Sequence, residues 1–118
     1  MSKFVNLKRN LKDDAFANYN TANTLVGTLT SLTSTKGHVL IGCTISNIHN
    51  ASVTVDVALI ENSSNVKTHI AKDVSIPVGG NVELISGKIV IDSDNETIHA
   101  RCSVDTKADI IISVLENA

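Results

Sequence analysis

Residues 39–59 read VLIGCTISNIHNASVTVDVAL, two alternating apolar segments joined by a polar link at 47–52. Val39, Ile41, Cys43 and Ile45 fall at every second position, and after the link Val53, Val55, Val57 and Leu59 do the same. Side chains alternate across a strand, so each set is expected to line one face of a sheet. His38 then falls on the opposite, outward side.

The same rhythm runs outward in both directions. Upstream, 24–32 (TLVGTLTSL) reads as a strand and 31–37 as a polar connection. Downstream, 61–65 (ENSSN) is a turn by composition. Val66, Thr68 and Ile70 then alternate with Lys67, His69 and Ala71. Val74, Ile76 and Pro77 lead into Gly79-Gly80, where the chain can turn sharply. Short strands are expected at 81–85 and 88–91, a polar turn at 92–96 (DSDNE), and a strand at 97–104 through Ile98, Ala100, Cys102 and Val104. The last strand, 109–116, is apolar on both faces, with Ile110, Ile112 and Val114 on one and Ile111 and Leu115 on the other. Such a strand is central in its sheet or has one face against a partner. About eight short strands, with turns every eight to twelve residues, predict an all-β antiparallel sandwich of jelly-roll or Greek-key-like type. No stretch predicts a helix long enough to cover a parallel sheet, which disfavours α/β folds.

The 118 residues are the size of one domain and can bury a core without disulfides or metal. The chain is 42% apolar but only 3% aromatic, so Val, Ile and Leu must build that core. A net charge of −2 gives no global pull towards nucleic acid or an anionic membrane. The basic residues Lys3, Lys8, Arg9 and Lys12 are not followed by an apolar run of signal length. No segment approaches the roughly 20 apolar residues that span a bilayer.

Residues 1–23 differ from the rest, and the expected division is an N-terminal arm (1–23) followed by the sandwich (24–118). The arm is read as extended, with one short strand and a helical turn near 13–17. Two readings compete. One is a frayed, solvated terminus. The other is an arm that docks on a neighbouring subunit through Phe4, Leu7, Leu11, Phe16 and Tyr19, which include every aromatic residue of the chain.

Candidate chemistry is sparse. Cys43 and Cys102 sit in alternating apolar runs, which suits buried free thiols, while a disulfide between neighbouring strands stays open. Asp92, Asp94 and Glu96 could offer oxygen ligands, but the turn lacks the glycine and terminal glutamate of a calcium loop, so a solvated turn is the better reading. His38, His49, His69 and His99 show no ligand spacing, and parity places His38 and His99 on the surface. No nucleophile elbow, catalytic triad or phosphate-cradling loop stands out. Three aromatic residues make no stacking platform for sugars or single strands. No catalytic residue, cofactor or metal site is expected.

Three ordered pieces carry a resemblance: VLIGCTISNIHNASVTVDVALI (39–60), THIAKDVSIPVGGNVELISGKIVI (68–91) and DSDNETIHARCSVDTKADIIISVLE (92–116). Together they resemble a recurrent type of small bacteriophage virion protein. TLTSLTSTKG (28–37) replaces the usual T-VP-G-T lead into the sandwich. The resemblance implies a compact β-sandwich on the particle, as capsid decoration or as a neck, tail or baseplate component. It implies a non-enzymatic virion protein, assembled in the bacterial host cytoplasm, that binds other virion proteins. Closed homo-oligomers are the default for such modules, and threefold rings suit capsid and tail symmetry, so a trimer is favoured. The alternative is a β-sandwich binding module for carbohydrate or receptor, displayed on a virion.

Overall fold

The alternating runs become strands in a computed structural model, which describes residues 3–18, 21–27, 37–85, 87–92 and 95–116. In chain order the strands are β1 (Lys3–Asn10), β2 (Leu25–Gly27), β3 (Gly37–Asn47), β4 (Val53–Glu61), β5 (Lys67–Ile76), β6 (Asn81–Glu83), β7 (Ile89–Asp92), β8 (Glu96–Cys102) and β9 (Ala108–Glu116). All pairings among them are antiparallel.

The pairs β1–β9, β2–β8, β3 with β6 and β7, and β4–β5 nest around the turn at 62–66. The chain is thus one long antiparallel ribbon doubled back on itself. Two further pairings, β3–β9 and β4–β8, roll the ribbon into a five-stranded and a four-stranded sheet. Their orders are β1-β9-β3-β6, with β7 also on β3, and β2-β8-β4-β5. This is the jelly-roll arrangement of two nested Greek keys, so the expected all-β sandwich is what forms. The last strand, β9, is central, as its two apolar faces suggested.

The core between the sheets is aliphatic. Leu40, Cys43, Ile45, Ile110, Ile112 and Val114 line it from one sheet. Val53, Val55, Val57, Ile76, Ile98 and Cys102 face them from the other. Each fully buried side chain of this kind contributes about 1.5–3 kcal/mol, which lets a chain with three aromatic residues hold a sandwich together.

Several local expectations are corrected. In β3, Leu40 pairs with Val114 and Gly42 with Ser113, so Ile41 is an extra residue. A bulge reverses the facing of everything on one side of it. Val39 therefore lies on the outer face, Ile41 is 38% exposed, and Leu40 takes the inward place. His38, expected on the surface, is inward and buried for the same reason. The runs at 66–71 and 74–76 are one strand, β5, whose register slips twice against β4.

Residues 3–10, expected within an arm, form an edge strand paired along its whole length with β9, and Leu11 is fully buried in the core. The helical turn near 13–17 is not there. The chain entering this stretch is held to the end of β8, the following turn and the start of β9: Leu11 N donates to Ala108 O (2.8 Å), Thr106 N to Leu11 O (2.9 Å), Cys102 N to Lys12 O (3.2 Å) and Asp13 N to Asp105 Oδ1 (3.1 Å). Backbone groups satisfied that way have no call to form a helix.

Candidate interaction surface

The segment after Leu11 lies as a strap across the outer face of the four-stranded sheet, because that face carries groups needing cover. Ala58 and Ile60 on β4 and His99 on β8 are all fully buried although they point away from the core. Phe16 stacks over this patch, its ring centroid 6.2 Å from that of His99 and 6.0 Å from that of His69. The His99 ring nitrogens meet the hydroxyls of Thr24 (2.7 Å, at Nδ1) and Thr97 (2.8 Å, at Nε2). Parity thus placed His99 on the correct side of β8, but the strap buries it. Beside it, Arg101 donates from Nη2 to Asp13 of the strap and from Nη1 to Asp56 Oδ2 at 3.1 Å. Burial works to lower the Arg101 pKa, yet its hydrogen bonds to the Asp13 and Asp56 carboxylates outweigh it and hold the guanidinium above its usual range. These contacts of Phe16, His99 and the two Arg101 Nη groups pin the strap, while the buried Arg101 Nε meets no acceptor among the described residues.

The remaining polar candidates are also absorbed by the fold. Asn47 donates from Nδ2 to Ala51 O (2.9 Å), Ile76 O (3.0 Å) and Pro77 O (3.1 Å), and its Oδ1 accepts from His49 N (2.7 Å). It knots three connections. Cys43 and Cys102 are free, buried thiols. Burial pushes Cys43 up to about 12, helped by the Glu83 charge, and burial also raises Cys102. In the acidic turn, Asp94 and the Asp92 side chain lie outside the described residues, and Glu96 is half-buried. Among the described residues, no three His, Cys, Asp or Glu side chains stand together as a metal site.

The outer face of the five-stranded sheet differs, because no segment of the described chain crosses it. Register aligns Phe4 of β1, Leu115 of β9, Val39 of β3 and Val90 of β7 in one row. Phe4 is 74% exposed and Val90 69%. Ile41, pushed out by the bulge, and Ile111 add to the same face. Two rows along, Lys8, Ile111, Thr44 and Glu83 align, with the two charges at opposite edges. Glu83 also repairs the bulge: Oε2 accepts from Thr44 Oγ1 (2.6 Å) and Oε1 from Cys43 N (2.7 Å). Those bonds hold its carboxyl below the usual carboxylate range.

Of the five residues read as interface anchors, the four described ones lie in different surroundings. Phe4 is on the exposed sheet face, Leu7 is half-buried against the core, Leu11 is in the core, and Phe16 pins the strap. Tyr19 lies outside the described residues. Val39 and Ile41 were missed as outer-face residues because their parity was read without the bulge, and Val90 because its short strand was assigned no facing.

No protein-family model and no curated protein sequence matches the chain. Solved structures do resemble it. The chain is similar to the Drosophila NLP-core, whose crystal structure bears on pentamer formation and histone binding, with a TM-score of 0.52 and 11% identity over 100% of this chain and 98% of that one. Two viral coat structures align less closely. One is from the T13 IBDV viral particle, with a TM-score of 0.46 and 8% identity over 97% of this chain and 31% of that one. The other is from the virus-like particle of Macrobrachium rosenbergii extra small virus, with a TM-score of 0.41 and 9% identity over 100% of this chain and 80% of that one. At such identities the likeness is one of fold.

Proposed function

We propose that this chain is a non-enzymatic structural subunit of a bacteriophage virion, which self-associates and binds neighbouring capsid or tail proteins. The observation that carries this is the contrast between the two outer sheet faces. Among the described residues, a strap covers one, while no segment crosses the other, which carries a row of four apolar residues. An uncovered apolar face rimmed by polar groups marks an interaction site. The jelly roll supports the reading, being a recurrent architecture of viral capsid domains, as does the ordered resemblance of 39–116 to small virion proteins. Thr24, Asn47, Asp56 and His99 are engaged in holding the strap, the β5 kink and the turns, and among the described residues no three His, Cys, Asp or Glu side chains gather as a metal site.

Light scattering of the purified chain at several concentrations, together with sedimentation alongside intact particles, tests the proposal. A closed oligomer such as a trimer that co-sediments with particles supports it. A monomer at all concentrations that stays off the particles refutes it.

A further inference from the structure

We infer that two copies of this chain pack face to face through the outer surface of the five-stranded sheet, about a two-fold axis that runs along the strands. The inference deepens the self-association proposed above and rests on it.

The argument follows from the register. Across this face the strands run β1, β9, β3 and then β6 and β7. A two-fold axis along the strands, set between β9 and β3, exchanges left with right but keeps each row level with itself. Phe4 then meets Val90 of the second copy, and Leu115 meets its Val39, so the apolar row packs on an apolar row. Two rows along, Lys8 meets Glu83 of the second copy, and Glu83 meets its Lys8. In the last row Asn10 stands over Asn81 and Asp109 over Ser46. No like charges are opposed in these rows, and the anionic Glu83 is paired with a cation. A two-fold axis across the strands would instead set the first row on the last. That would lay Leu115 over Asp109 and Phe4 over Asn10, burying polar groups without partners. The off-centre apolar row and the opposed edge charges therefore select a second copy as the occupant and select one axis. The interface is isologous, as closed two-fold contacts are.

The size of the face sets the strength. Four strands about 4.8 Å apart and eight residues at about 3.4 Å give roughly 500 Å² per copy. That is below the roughly 800 Å² per partner of a standard interface. The contact is thus a reversible one that joins chains, or rings of chains, in pairs. Aligned sheets of this kind pack about 10 Å apart with strands crossing at about 30°.

Two variants of the full chain test this. Phe4→Asp places a charge in the row at a position that contributes little to the core, so circular dichroism and melting should match the parent. The expected result is that its native mass falls to half. Separately, Phe4→Cys and Val90→Cys proteins are mixed and treated with a short bismaleimide; the native thiols, both buried, do not compete. The expected product joins one Phe4→Cys chain to one Val90→Cys chain, with little linkage of Phe4→Cys chains to each other. If the parent self-associates but Phe4→Asp keeps its mass, or Phe4→Cys links to itself as readily, this interface is wrong while self-association stands. A parent that is monomeric throughout overturns both.

Discussion

The Asp56 carboxylate accepts the backbone amide of Asp73 at 2.5 Å, in the kink of β5 where Asp73 holds φ at +52°. Its second oxygen accepts from Arg101, which also reaches Asp13 of the strap. One buried carboxylate thereby holds both a strand kink and, through Arg101, the cover of the outer sheet face. Asp56→Ala leaves the guanidinium and the Asp73 amide short of a partner. Breaking a buried pair costs about 3–5 kcal/mol, and Arg101 is partly solvated, so the expected loss is about 2–3 kcal/mol. Asp73→Gly, which keeps the amide and relieves the left-handed backbone, should stay within about 1 kcal/mol of the parent. Urea unfolding midpoints check both.

Leu11 and Phe4 lie seven residues apart and should respond oppositely to truncation. Leu11 is fully buried, so Leu11→Ala should cost about 2–5 kcal/mol. Phe4→Ala, at an exposed edge position, should change stability by no more than about 0.5 kcal/mol. A chain lacking residues 1–11 loses both β1 and a core side chain and is expected to unfold rather than to lose its contacts alone. Thermal and urea melts of the three proteins read this out.

What the sequence disclosed depended on which interaction decided each position. The inward sets of β4, β8 and β9 follow plain alternation, and there Val53, Val55, Val57, Ile98, Cys102, Ile110 and Ile112 were legible. β3 breaks that alternation at Ile41, and plain parity passes over the local mark of the bulge, the adjoining Gly42. The bulge arises where β3 changes partner from β7 to β6, a long-range event. Asp73 is similar: nothing in KDVS announces a left-handed residue, since the kink is set by Asp56, seventeen positions away. The burial of His99 needed knowledge of where Phe16 goes. The outer-face row was hidden for the same reason. Phe4, Val39, Val90 and Leu115 come from four separate runs and become neighbours only through the register.

Glu83 should impose a pH dependence on the side of acid. Hydrogen bonds from Thr44 and the Cys43 amide depress its folded-state pKa below the unfolded value. Its contribution is therefore complete above the ordinary carboxylate range, near pH 4.3, and is lost as pH falls through the depressed value. Glu83→Gln, which keeps much of the hydrogen bonding without the charge, should flatten that part of the acid limb and leave neutral-pH stability less affected. Urea midpoints measured from pH 7 down to the acid transition make the comparison. A Glu83→Gln profile that runs parallel to the parent would show that other carboxyls set the acid limb.

Cys43 makes the opposite statement at high pH. Burial, aided by the Glu83 charge, raises its folded-state pKa to about 12, above the ordinary thiol value. A raised folded pKa gives stability that is complete below the unfolded pKa and declines as pH climbs towards the folded one. The unfolded chain ionises first, so the parent should lose stability progressively above about pH 8.5. Cys43→Ala removes the titrating group at the cost of a small cavity. It should be less stable at neutral pH yet lose less on the alkaline side. The same burial keeps the thiolate out of reach of reagent, so a disulfide-exchange dye at neutral pH should modify Cys43 and Cys102 only as fast as the chain opens. Labelling that slows in step with added stability, as osmolyte is titrated in, is the expected behaviour. Rapid labelling of either thiol in the folded protein would place a path for water through the jelly roll and would require the core between β3 and β8 to be redrawn.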